Sequence, residues 1–84
     1  MFVLKQKSVI IIVVATSIRR ALALFYSDGE LTARELQRLL DVSTKTTYDV
    51  IDYLMRKHLI TRVARGQYRI TKKGEKIAEA LMEL

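Results

Sequence analysis

Between Thr32 and Ile60 the chain reads TARELQRLLDVSTKTTYDVIDYLMRKHLI, two short helical patterns with an abrupt break between them. Thr32 stands three residues before Glu35, the spacing at which a hydroxyl and a carboxylate cap the first turn of a helix reciprocally. Leu36, Leu39 and Leu40 then give that helix its apolar stripe. The pattern stops at Asp41-Val42-Ser43, where Asp41 tolerates a left-handed backbone, Val42 can plug the corner, and Ser43 or Thr44 can cap a second helix. In that second helix Thr47, Ile51, Leu54 and Met55 share the inward face, leaving Lys45, Tyr48, Asp49 and Asp52 opposite as a candidate reading face.

The flanking segments follow the same logic. Ile11, Val14, Ile18, Leu22 and Phe25 recur at steps of three and four, one face of a helix that ends at the turn residues Ser27-Asp28-Gly29-Glu30. The β-branched run Val9 to Val14 at its start admits either helix or strand, and in both cases those side chains need cover. Leu31 supplies a short extended residue. After the second helix of the pair, Leu59 to Ala64 and Gln67 to Ile70 flank Arg65-Gly66, where glycine provides the positive φ of a tight hairpin. Alternation turns Tyr68 and Ile70 inward and Gln67 and Arg69 outward. Thr71 caps a last helix with apolar positions Ile77, Ala78, Leu81, Met82 and Leu84.

These features resemble the winged helix-turn-helix family of DNA-binding regulators, in particular the small MarR-like, ArsR-like and PadR-like domains of archaea and bacteria. The resemblance rests on the two-helix segment, the apolar pair Leu59-Ile60, the basic hairpin with Arg65-Gly66 at its tip, and the run Tyr68-Arg69-Ile70-Thr71-Lys72-Lys73-Gly74. It extends from about residue 18 to the last residue. Many members carry Gly where this chain has Asp41. The implied fold is mainly α with a small β-hairpin: a three-helix core, a wing and a C-terminal helix in one domain over residues 1–84. The family pattern puts Thr44, Lys45, Thr46, Tyr48 and Asp49 in the major groove of double-stranded DNA. There, Lys45 can donate to guanine or phosphate, the threonines can touch a thymine methyl, and Asp49 can accept from a cytosine amino group; the alternative is that Asp49 and Asp52 repel phosphate or are held by Arg56. Arg65 would enter the minor groove and Arg62, Arg69, Lys72 and Lys73 would meet phosphates, while Thr32 and Arg34 would receive a phosphate at a helix N-terminus.

Charge placement agrees with a polyanionic partner. Of a net +6, the segment Arg56 to Lys76 holds eight Lys or Arg against the single acid Glu75, so the rest of the chain is slightly acidic. With 84 residues the chain forms one modest core, and no separate ligand domain fits. Three glycines, one histidine and no cysteine leave no phosphate loop, no thiolate metal site and no catalytic pair, so no enzyme, metal or cofactor is expected. The apolar run near the start falls short of the ~20 residues of a membrane span and continues into a helix the domain needs, so it is expected to stay on a cytoplasmic, DNA-associated protein. The absence of Asn and Cys suits a thermophilic source. Segments 8–17 and 72–84 carry more apolar surface than the core needs. Val9, Ile12, Val13, Leu81, Met82 and Leu84 are therefore expected to form a homodimer seam that would set two reading helices about 34 Å apart. The alternative function is a winged-helix module that binds a protein in a transcription or replication complex.

Overall fold

A computed structural model describes the backbone of residues 2–83 and the side chains of residues 15–83. The elements run α1 (Phe2–Asp28), β1 (Glu30–Thr32), α2 (Ala33–Leu40), α3 (Thr44–Arg56), β2 (Ile60–Ala64), β3 (Gln67–Ile70) and α4 (Lys72–Met82). The architecture is the expected one, mainly α with a wing. Its extended residue at Leu31 grows into the three-residue β1, which makes the hairpin a three-stranded antiparallel sheet of order β1-β3-β2.

Residues 9–14 fall within α1, which settles the choice between strand and helix. Val and Ile lose only a few tenths of a kcal/mol each in a helix relative to good formers. The second half of α1 is already fixed by Ala21, Leu22 and Phe25, each at most 2% exposed, so extension toward the N-terminus needs no new nucleus. The helix stops at Gly29, whose φ of 81° no β-carbon opposes and whose amide donates to Phe25 O at 2.6 Å.

The corner between α2 and α3 is built as its residues dictate. Thr32 Oγ1 accepts from the Glu35 amide at 3.0 Å while Glu35 Oε1 accepts from the Thr32 amide at 2.9 Å, a complete capping box. Asp41 ends α2 at φ 55° with its amide donating to Gln37 O, so aspartate fills the left-handed position where many winged domains use glycine. Ser43 caps α3 by accepting from the Thr46 amide at 3.1 Å. The buried Thr47 hydroxyl donates to Ser43 O at 2.9 Å, which satisfies the one polar group α3 carries into the core.

Leu36, Leu40, Ile51 and Leu54 pack with Leu22 and Phe25 as the centre of the core. Two details depart from expectation. Leu39 is 45% exposed, because at 100° per residue it lies roughly 80° round from the midline of Leu36 and Leu40. Val50 is fully buried and takes the place in the core that the sequence pattern had spread toward Met55, which is half-buried.

Beyond α3 the chain reverses at His58, a non-glycine residue at φ 60°, and the Leu59 amide donates to Leu54 O at 2.9 Å. His58 thus shapes the end of the helix by its backbone. The hairpin closes on Gly66 at φ 72°, with a register shift between Arg62 and Ala64 that leaves Val63 as the extra residue. Tyr68 and Ile70 face the core and Gln67 and Arg69 face outward, as alternation requires. Thr71 then caps α4, accepting from Gly74 N at 3.0 Å and donating its own proton to His58 O at 2.7 Å. Gly74 is buried against the Leu59 carbonyl and lies where a β-carbon would come within 2.8 Å of Ile70 Cγ1 and overlap the Leu59 oxygen outright. On α4, Ala78 is buried and Leu81 half-buried, whereas Ile77 and Met82, expected on the apolar stripe, are 39% and 56% exposed.

Candidate nucleic-acid interface

The first turns of α3 present Thr44, Lys45, Tyr48 and Asp49 to solvent, with Thr46 half-buried. Their orientation follows from the inward anchoring of Thr47, Val50, Ile51 and Leu54 on the opposite face. Apart from Tyr48, these side chains already have partners. Thr44 Oγ1 accepts from Gln37 Nε2 at 3.0 Å, which fastens α2 to the start of α3, and Thr46 Oγ1 accepts from Ser43 Oγ at 3.0 Å. Lys45 Nζ and Asp49 Oδ2 form an ion pair at 3.1 Å, with Lys45 86% and Asp49 50% exposed. The base that holds Asp49 is thus Lys45 one turn earlier and not Arg56; among the described residues neither Arg56 nor Asp52 is in an ion pair.

The wing carries Arg62 on β2 and Arg65 at the tip, both exposed, and Lys72 and Lys73 stand exposed in the first turn of α4. Arg69 is differently placed. Its Nε and Nη2 donate to Glu30 Oε1 at 3.2 and 3.1 Å across the β1–β3 register pair, and the surrounding surface includes Asp28 and Glu75. In this structure Arg69, for which the resemblance implies a phosphate contact, is therefore paired with a carboxylate at an exposed site. Glu30, a turn residue by composition, lies in β1, and only the strand register reveals it as the neighbour of Arg69.

At the start of α2 most of the expected phosphate cradle is used internally. Thr32 serves the capping box, the Ala33 amide donates to Gly66 O at 3.0 Å, and the Glu35 amide is taken by Thr32. Hydrogen bonds to the Thr32 backbone and side chain hold the Glu35 carboxyl below its ordinary range, so it stays ionised beside the helix N-terminus. Arg34 remains exposed next to this turn.

Away from that face, Arg19, Arg20, Leu22, Ala23, Ala78, Leu81 and Met82 line a groove of about 230 Å³ between α1 and α4. Leu81 and Met82 of the expected dimer seam lie along it; Val9, Ile12, Val13 and Leu84 are outside the residues whose side chains are described. Tyr26 on α1 clamps α4 by donating to Glu79 Oε2 at 2.9 Å. Among the described residues no cluster of three metal-ligating side chains occurs, and no helix is long and apolar enough to cross a membrane.

A capped two-helix corner, a hairpin wing joined to it through β1, and a helix after the wing define a winged helix-turn-helix regulator. Residues 7–84 match the family described as the N-terminal domain of the methanogenesis regulatory protein FilR1, and the chain belongs to that family. No curated protein matches it. Among solved structures it is similar to the reduced form of MarR from E. coli, with a TM-score of 0.75 at 24% identity over 80% of this chain and 50% of that one. It is also similar to a MarR family protein from Bacillus stearothermophilus (TM-score 0.72, 31% identity, 81% of this chain and 50% of that one). A third is a cysteine-to-serine mutant of E. coli MarR in complex with operator DNA (TM-score 0.73, 23% identity, 80% and 52%). The chain spans about half the length of these proteins. A MarR family transcriptional regulator from Silicibacter pomeroyi is similar as well (TM-score 0.73, 26% identity, 80% and 51%).

Proposed function

We propose that the chain binds double-stranded DNA in a sequence-dependent manner as part of a homodimeric transcription regulator, with α3 in the major groove and the wing over the adjacent minor groove and phosphates. The observation that carries this reading is the juxtaposition of a polar, exposed α3 with a basic wing, whose tip is bonded through Gly66 to Ala33 at the start of the helix pair, within a fold shared with a MarR mutant bound to operator DNA. Lys45, Thr44, Thr46, Tyr48 and Asp49 would face base edges; Arg65 would enter the minor groove; Arg34, Arg62, Lys72 and Lys73 would contact phosphates, with Arg69 joining them only when released from Glu30. Residues 1–84 would then act as one winged domain, paired through the first half of α1 and the end of α4, where Leu81 and Met82 remain partly or largely uncovered. Such a protein works where the DNA is, inside the cell.

Fluorescence anisotropy of a labelled random-sequence duplex, titrated at several salt concentrations, tests this directly. Binding that weakens steeply with salt, with a log-log slope equivalent to about five or more phosphates per complex, is the expected result. No binding at low salt would overturn it. The protein-partner reading draws on the exposure of Leu39 and Tyr48, 45% and 46%, on the two helices of the corner. Changing Lys45 and Arg65 to Glu separates the two readings, since it should abolish DNA binding and spare a partner that docks on apolar side chains.

A further inference from the structure

A helix that enters the major groove passes between two rows of phosphates, and a net positive face lowers the free energy of every such passage whatever the sequence. On α3 the outermost line of side chains lacks that excess. Lys45, Asp49, Asp52 and Arg56 lie within about 60° of one another on the helix at 100° per residue, so that line shows two bases against two acids. The base in its first turn is also occupied, since Lys45 Nζ is 3.1 Å from Asp49 Oδ2. The positive charge of the DNA-facing surface therefore comes from the wing and the start of α4, and α3 adds none to it.

Building on the proposed DNA-binding function, we infer that Asp49 is a specificity-determining residue that acts by making phosphate-only binding unfavourable and accepting from a base amino group when the correct sequence is present. Two steps lead there. In a nonspecific complex Asp49 keeps Lys45 from a phosphate and brings its own charge toward the backbone, so each subunit forfeits one contact and gains a repulsion. In the specific complex an exocyclic amino group, cytosine N4 above all, donates to Asp49, and Lys45 is then released to a guanine or phosphate acceptor. A half-exposed carboxylate one helical turn from its lysine is free to make this exchange without unfolding any part of α3. The wing supplies affinity, and the helix withholds it until the bases match.

Three variants test the assignment: Asp49→Asn, Lys45→Met and the double change, each titrated over a salt series against a random-sequence duplex and against the sites that wild-type protein enriches from a randomised pool. Asp49→Asn is expected to bind the random duplex several-fold more tightly, with a salt slope steeper by about 0.9 for each phosphate the freed Lys45 gains. Its preference for enriched over random duplex should fall at least tenfold. In its own selection the base opposite residue 49 should change from cytosine toward adenine, which an amide reads better. Lys45→Met should cost little random-duplex affinity in the wild-type background and several-fold in the Asp49→Asn background, because only there is the lysine free. Circular dichroism of each variant checks that α3 is intact. Unchanged or weaker random-duplex binding by Asp49→Asn, with the wild type binding normally, overturns the inference and leaves the DNA reading standing. Failure of the wild type to bind any duplex at low salt removes both.

Discussion

The amide of Ala33 donates to the carbonyl of Gly66 at 3.0 Å, so the first residue of α2 is bonded directly to the tip of the wing. The wing is therefore no free arm. Its tip is fixed at the same point where the helix pair begins, and Arg65 is positioned by that bond together with the Thr32–Gln67 register pair.

Gly66 makes this closure possible with φ at 72° and no heavy atom within 4 Å of where a β-carbon would point. The penalty for Gly66→Ala is then a matter of backbone alone, about 1–2 kcal/mol. For a domain of this size that corresponds to a fall in melting temperature of roughly 4–8 °C per kcal/mol, measurable by calorimetry. Gly66→Asn should lose distinctly less, since asparagine visits the left-handed region more readily.

Gly74 presents the reverse case, an ordinary backbone with no room. A methyl there overlaps the Leu59 carbonyl oxygen, which already accepts from the Thr71 amide at 3.0 Å and so is not free to move. Gly74→Ala should cost about 1–3 kcal/mol, as overpacking does, despite the gain in helix propensity. Urea unfolding monitored by circular dichroism would register it, and a stabilised variant would mean that α4 can slide away from the wing.

The capping box gives an acid-side signature. Hydrogen bonds from Thr32 depress the Glu35 carboxyl in the folded state, so the stability it contributes is present above its unfolded value, about 4.3, and is lost as pH falls through the lower folded one. Wild type should accordingly lose more stability than Glu35→Gln on acidification, with the two curves converging at low pH. Thr32→Ala should cost about 1 kcal/mol at neutral pH through the lost cap. Thermal melts across that pH range test both.

Tyr26 gives the corresponding alkaline signature. Its hydrogen bond to Glu79, then desolvation and the nearby Glu79 and Glu75 charges, raise the phenol above its ordinary value, so its stabilising effect holds below about pH 10 and is lost as pH rises through the folded value. Subtracting the ultraviolet titration of Tyr26→Phe from that of wild type should therefore leave a phenolate transition above pH 10. A difference transition at or below that value would show that Tyr26 does not hold Glu79 in solution.

Local rules made the elements legible. Thr32 with Glu35, Ser43 and Thr71 each cap the helix that their spacing assigns, and Gly66 turns the hairpin. Those features depend on residues within a few positions of one another. What escaped the sequence depends on distant partners. The Glu30 partner of Arg69, 39 residues away, appears only with the β1–β3 register, and Gly74 looks like a motif glycine until the Leu59 carbonyl arrives beside it. Leu39 failed for another reason: an eight-residue helix has too narrow a buried face for every leucine on its stripe.

The sheet order also governs how this domain comes together. β3, central in space, is the last strand made in sequence, and the partner on one of its edges, β1, precedes the whole helix pair. The pairing of Glu30 with Arg69 thus closes the longest loop in the sheet, and that closure ties the wing to the start of α2. The start of α2 and the wing would consequently gain and lose protection against amide exchange together, as one cooperative unit, and a force that displaces the wing would be felt at the first turn of α2.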